Sequence, residues 1–146
     1  MKSKRRLDLY SGETLLRSYS VGLGLSPVDD KGQEGDCRTP EGDFYIFTKN
    51  PKSAYHLSLA ISYPNIEDAE RGLREQLISR SEHDEIVAAT RNMKVPPQHT
   101  RLGGEICIHG NGARGDWTRG CVALENEDIE ELYKAVELGT PVTIKP

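Results

Sequence analysis

The chain has 146 residues, of which 36% are hydrophobic and 29% charged, with a formal net charge of −4. That length holds about one ordinary domain, and the composition argues against both a disordered and a membrane-spanning chain. Charges of both signs are interspersed without a basic face, which argues against a nucleic-acid partner. No integral membrane segment is expected, because no apolar run is long enough for a spanning helix.

Met1 to Arg6 are basic, like the start of a signal peptide, but no apolar run follows and no secretion signal is visible. Leu7 to Tyr10, a turn at Ser11-Gly12-Glu13, and Thr14 to Val21 predict two antiparallel strands. Gly22 to Gly35, rich in Gly, Pro and Asp, predicts a long surface loop. Thr39-Pro40-Glu41-Gly42 suits a tight turn, and Phe44 to Phe47 a strand. Tyr55 to Ser62 alternates, with Leu57, Leu59 and Ile61 on one face, and ends at Pro64.

Asn65 is placed to cap a helix beginning at Ile66, although Gly72 weakens it, and a second helical piece runs from Glu82 to about Met93. The pair reads as a helical insertion between strands. Ile106 to His109 predicts a short strand, Gly110 to Gly120 a Gly-rich loop, and Cys121 to Leu124 a return to apolar pattern. Asn126 is expected to cap the last helix, with Gly139 as its stop and Val142 and Ile144 in a terminal strand.

Three cysteines, Cys37, Cys107 and Cys121, cannot all pair within one chain, so a free thiol needs explaining. An imidazole that takes the thiol proton makes cysteine a nucleophile, and His109 and Cys121 end and begin neighbouring apolar runs. Glycine at 120 permits close backbone approach, so amides around Gly120 and Cys121 are candidate oxyanion donors. The plain alternative is a buried small hydrophobe beside a satisfied core histidine. Cys107, His109 and Cys121 fall short of a four-ligand zinc spacing. Alternation sets Cys107 on the same face as His109, where it is read as packing; Cys37 has no assigned role. His56 reads as structural or solvated, and His83 and His99 as surface residues.

His-Gly, a glycine-bearing loop and Ser/Thr-x-Gly-Cys resemble the signature of the L,D-transpeptidase (YkuD-like) catalytic domain. Here it reads His109-Gly110 and Thr118-Arg119-Gly120-Cys121. The first hairpin, the turn at Thr39, Pro40 and Gly42, the strand leading into Ile61-Ser62-Tyr63-Pro64-Asn65 and the closing helix also have counterparts. The likeness covers most of the chain, an insertion at about 66–102 excepted.

This resemblance implies one catalytic domain over residues 1–146, a mainly β fold of mixed sheets packed as a β-sandwich, with a helical insertion and a C-terminal helix. It implies acyl transfer on peptidoglycan stem peptides in the periplasm or cell envelope, through a thioester on Cys121 with His109 as base and the carbonyl of Gly110 as its orienter. It implies no metal and no cofactor, and carbapenems as inhibitors. Many transpeptidases of this family carry arginine where this chain has Ala123, and the Gly-Cys-x-Ala form resembles a subgroup that includes hydrolases. Arg119 is then the nearest cation for a substrate carboxylate, with Trp117 and Thr118 as further substrate contacts. The rivals are an L,D-carboxypeptidase or amidase, a non-catalytic muropeptide-binding module, and a redox or zinc thiol protein.

Overall fold

The computed structural model describes all 146 residues. β1 (Arg6–Ser11) and β2 (Thr14–Ser20) form the expected hairpin, turning at Gly12, whose positive φ of 60° suits glycine. A second sheet takes β3 (Gly42–Ser53), β4 (His56–Ile61), β5 (Cys107–His109), β6 (Val122–Ala123) and β7 (Pro141–Ile144) in the order β6-β5-β4-β3-β7. Only β5 and β6 run parallel. The fold is mainly sheet with three helices: α1 (Ile66–Arg74), α2 (Arg80–Arg91) and α3 (Asn126–Ala135).

Alternation on β4 buries Leu59 and Ile61 completely, and with Tyr19, Val21, Ile108, Val122, Leu124, Ile129 and Leu132 they form the main core between the sheets and α3. Burying each large aliphatic side chain contributes about 1.5–3 kcal/mol. A separate small cluster of Ala69, Ile78, Ile86 and Leu102 holds the helical insertion together. Tyr63 joins the two, its hydroxyl donating to the Leu102 carbonyl at 2.6 Å.

Several expectations need correction. Gly22 to Gly24, expected at the start of a surface loop, are buried. Gly22 pairs with Ala123 and Gly24 with Thr118, so this segment lies under the Cys121 loop. Gly72 does not break α1, which runs through it to Arg74, and its lack of a side chain lets the helix pack on Leu102, whose Cδ2 a methyl would approach to 2.8 Å. Helix α2 starts earlier than Glu82, since Ser79 caps it and Glu82 closes the capping box. His83 is not a surface residue; it is buried at 7% exposure with its ring nitrogens on Asp84 and Glu70. Asn126 does not cap α3; the cap position is Glu125, which makes no side-chain cap bond.

Candidate active site

β5 runs up to His109, the chain loops through residues 110–120, and β6 starts again in the same direction. Ile108 pairs with Val122 and His109 with Ala123. Ile108 and Val122 face the core, so by alternation Cys107, His109, Cys121 and Ala123 share the opposite face. Cys121 lies two residues before Ala123, the partner of His109, and so sits diagonally across from the histidine.

His109 is 2% exposed and its Nδ1 lies 2.8 Å from the carbonyl oxygen of Gly110. A carbonyl only accepts, so Nδ1 carries a proton, and in the neutral ring the lone pair is then on Nε2. The ring is stacked with Tyr55 at 4.5 Å between centroids and meets Trp117 edge-on at 5.6 Å. Both aromatics are partly exposed, so they form the outer wall over the imidazole.

Cys121 Sγ accepts the amide of Cys107 at 3.3 Å and lies 3.6 Å from the carbonyl of Glu105. The Cys107 thiol beside it, then the His109 imidazole and the Cys107 amide, hold the Cys121 thiol below its ordinary range despite its burial. Its contact with Cys121, followed by burial, pushes the Cys107 thiol up instead. Cys107, read from the sequence as packing, therefore lies against the Cys121 sulfur.

The loop between the two strands is pinned on every side. Asp116 takes both guanidinium donors of Arg5 at 2.9 Å and the amide of Leu23 at 3.0 Å. Asn126 Oδ1 accepts the amide of Asn111 at 2.8 Å, and Glu125 Oε1 that of Ala113 at 3.0 Å. The Gly110 amide donates to Tyr55 O at 2.9 Å, fastening the β3–β4 hairpin tip to the loop. A methyl at Gly110 would come within 2.6 Å of Asn126 Oδ1 and 2.9 Å of Tyr55 O.

Thr118, expected as a substrate contact, is buried, and its hydroxyl donates to the Cys121 carbonyl at 2.8 Å while accepting the Gly120 amide at 3.1 Å, shaping the turn before the cysteine. The Gly120 amide is thereby occupied, whereas the Cys121 amide has no partner in the chain. Gly120, at φ 140°, is needed on the protein side, because a methyl there would lie 2.7 Å from the Arg38 carbonyl. Arg119 is exposed and makes no ion pair, and the Trp117 indole donates to Gly112 O at 3.0 Å. Tyr55 is the site residue that sequence reasoning passes over; it lies on a distant hairpin, and no local signal marks it.

A cavity of about 750 Å³ lies elsewhere, between the hairpin sheet and the five-stranded sheet. Leu7, Leu9, Leu59, Ile108 and Val122 line it together with Lys2, Arg6, Asp8 and Lys145, away from His109 and Cys121.

The sequence profile of the L,D-transpeptidase catalytic domain, YkuD, matches residues 1–144. The chain belongs to this family. Among solved structures it is similar to the helical cell shape determining protein Pgp2 from Campylobacter jejuni, in its K307A form, at 27% identity and a TM-score of 0.65, covering 97% of this chain and 43% of that one. Bd1075 from Bdellovibrio bacteriovorus matches at 24% identity and a TM-score of 0.58, covering 98% and 45%. LdtMt1 in complex with imipenem matches at 12% identity and a TM-score of 0.54, covering 98% and 55%, a likeness of fold. No curated protein matches the chain. The YkuD domain described here thus spans less than half the length of the Pgp2 chain. No helix in it is long and apolar enough to cross a membrane.

Proposed function

We propose that this domain carries out cysteine-dependent acyl transfer on peptidoglycan stem peptides, in the periplasm or cell envelope. The observation that carries the reading is the His109 ring, fixed by the Gly110 carbonyl so that its free nitrogen serves a Cys121 thiol already biased towards thiolate. Cys121 Sγ attacks the carbonyl of the third stem residue, and negative charge builds on that oxygen. The unpaired Cys121 amide is the donor available to it; one such donor is worth on the order of 10²-fold in rate. His109 Nε2, having taken the Cys121 thiol proton, then delivers it to the departing D-alanine amine, leaving a thioester on Cys121. The same nitrogen takes a proton from the amine or water that resolves the thioester.

Arg119 is a cation free to meet a substrate carboxylate, and Tyr55 and Trp117 offer an aromatic surface beside His109. Ala123 favours hydrolysis as a second reading, because it is fully buried beside His109 where many transpeptidases of this family carry an arginine. Water then replaces the acceptor amine, giving an L,D-carboxypeptidase of the Gly-Cys-x-Ala subgroup.

The test is intact mass after incubation with a carbapenem, a class represented by imipenem in the LdtMt1 complex. One adduct is expected on the natural chain, absent in Cys121→Ala and slower to form in His109→Ala. No adduct on the natural chain, or one that survives Cys121→Ala, would defeat the reading. Muropeptide products with and without an added acceptor amine then separate transfer from hydrolysis.

A further inference from the structure

Acyl transfer leaves one thiol of the site unused. The β5–β6 ladder pairs Ile108 with Val122 and His109 with Ala123, so one step back sets Cys107 opposite Cys121. Residues level with one another on adjacent strands project to the same face. Strands lie about 4.7–4.9 Å apart, inside the roughly 4.4–6.8 Å that a disulfide spans between Cα atoms. The Cys121 sulfur is turned towards its neighbour, 3.3 Å from the Cys107 amide nitrogen. Both thiols are free and only half-buried, which admits a small oxidant. Cys37 lies on a different loop, its sulfur facing the Gly35 carbonyl at 3.9 Å.

We infer that Cys121 and Cys107 form a redox-active dithiol, in which a peroxide oxidises Cys121 and Cys107 resolves the product into a disulfide that reversibly withdraws the nucleophile. The inference rests on Cys121 being the reactive thiol of the proposed function.

In the first step the Cys121 sulfur attacks the peroxide O–O bond. An S–O bond forms, water departs, and the sulfur, oxidised by two electrons, becomes a sulfenic acid. The Cys107 sulfur next attacks the Cys121 sulfur, forming the S–S bond and expelling the hydroxyl, which leaves as water with the Cys107 proton. Two thiols and one hydrogen peroxide thus give one disulfide and two waters. The unequal environments suit this order. Cys121 is the more readily ionised thiol, and Cys107 is held protonated by its contact with Cys121 until that charge is lost.

The experiment uses the full chain carrying Cys37→Ser, which removes the third thiol. The protein is treated with hydrogen peroxide, blocked with iodoacetamide and digested without reduction. Expected are a fall of about two mass units, the two hydrogens lost on disulfide formation, a peptide linking Cys107 to Cys121, and loss of carbapenem acylation that dithiothreitol restores. Cys107→Ala on the same background is expected to carry Cys121 on to sulfinic acid, which dithiothreitol does not reverse. Cys107→Ser serves as the shape-conserving variant with the same expected result, and iodoacetamide labelling of Cys121 before oxidation shows that either variant keeps its site. The inference is overturned if Cys121 of the Cys37→Ser protein reaches sulfinic acid while Cys107 stays open to alkylation. A disulfide without any acylation before oxidation would sink the acyl-transfer reading alone; acylation without a disulfide would sink this one alone.

Discussion

The helical insertion and the last helix treat their capping residues in opposite ways. Helix α1 has a complete capping box between Asn65 and Asp68, and α2 has another between Ser79 and Glu82. Helix α3 has no side-chain cap, because Glu125 and Asn126 reach outward to the amides of Ala113 and Asn111 in the loop that follows His109. An uncapped helix start costs about 1 kcal/mol. At α3 that cost is offset by hydrogen bonds that hold the loop between the two catalytic candidates. Caps in the insertion serve folding, whereas the equivalent groups at α3 serve the site.

The largest test of this division lies at the chemistry. Cys121→Ala is expected to lower turnover of muropeptides by on the order of 10⁴-fold or more, and His109→Ala by about 10²–10⁴-fold. Calorimetry should show Cys121→Ala melting near the natural chain; a collapse in Tm would mean the sulfur is chiefly structural. Gly110→Ala comes next, because its methyl would meet Asn126 Oδ1 and Tyr55 O. A loss of about 1–3 kcal/mol by denaturant titration is expected, with turnover falling as well.

Asn126→Ala and Asn65→Ala are each expected to cost about 1 kcal/mol, but only the first should reduce turnover. Equal kinetic effects from the two would erase the contrast between the regions.

The smallest effect is one of pH, and it is confined to the insertion. Burial raises the Asp68 carboxyl from 3.8 to about 6. The folded chain then binds this proton more tightly than the unfolded one, so Asp68 makes stability fall as pH rises from about 4 to about 6. In Asp68→Asn that part of the slope of Tm against pH should disappear, while the pH profile of turnover stays as it was. A turnover profile that moved with it would couple the insertion to the site.

Much of the fold was legible because its signals are local. The alternation of Leu57, Leu59 and Ile61, the cap at Asn65 and the glycine turn at Gly12 each act within a few residues, and each appears where expected. Asn126 misled because a capping side chain has more than one amide within reach, and only the folded loop presents Asn111 to it. His83 misled in a similar way. Its acidic neighbours, one of them on the other helix of the insertion, let a polar ring be buried in a segment that reads as solvated.

By itself the sequence determined the element types, the helical insertion, the motif joining His109-Gly110 to Thr118-Arg119-Gly120-Cys121, and through it the family. Only the tertiary structure decided that the Cys107 amide meets the Cys121 sulfur, that Tyr55 stacks on His109, and that Thr118 occupies the Gly120 amide. The physical reason is that alternation and capping are properties of neighbouring residues. The relation of β5 to β6, by contrast, depends on how the loop between them closes, and Arg5, Leu23, Tyr55 and Asn126 set that closure from distant parts of the chain.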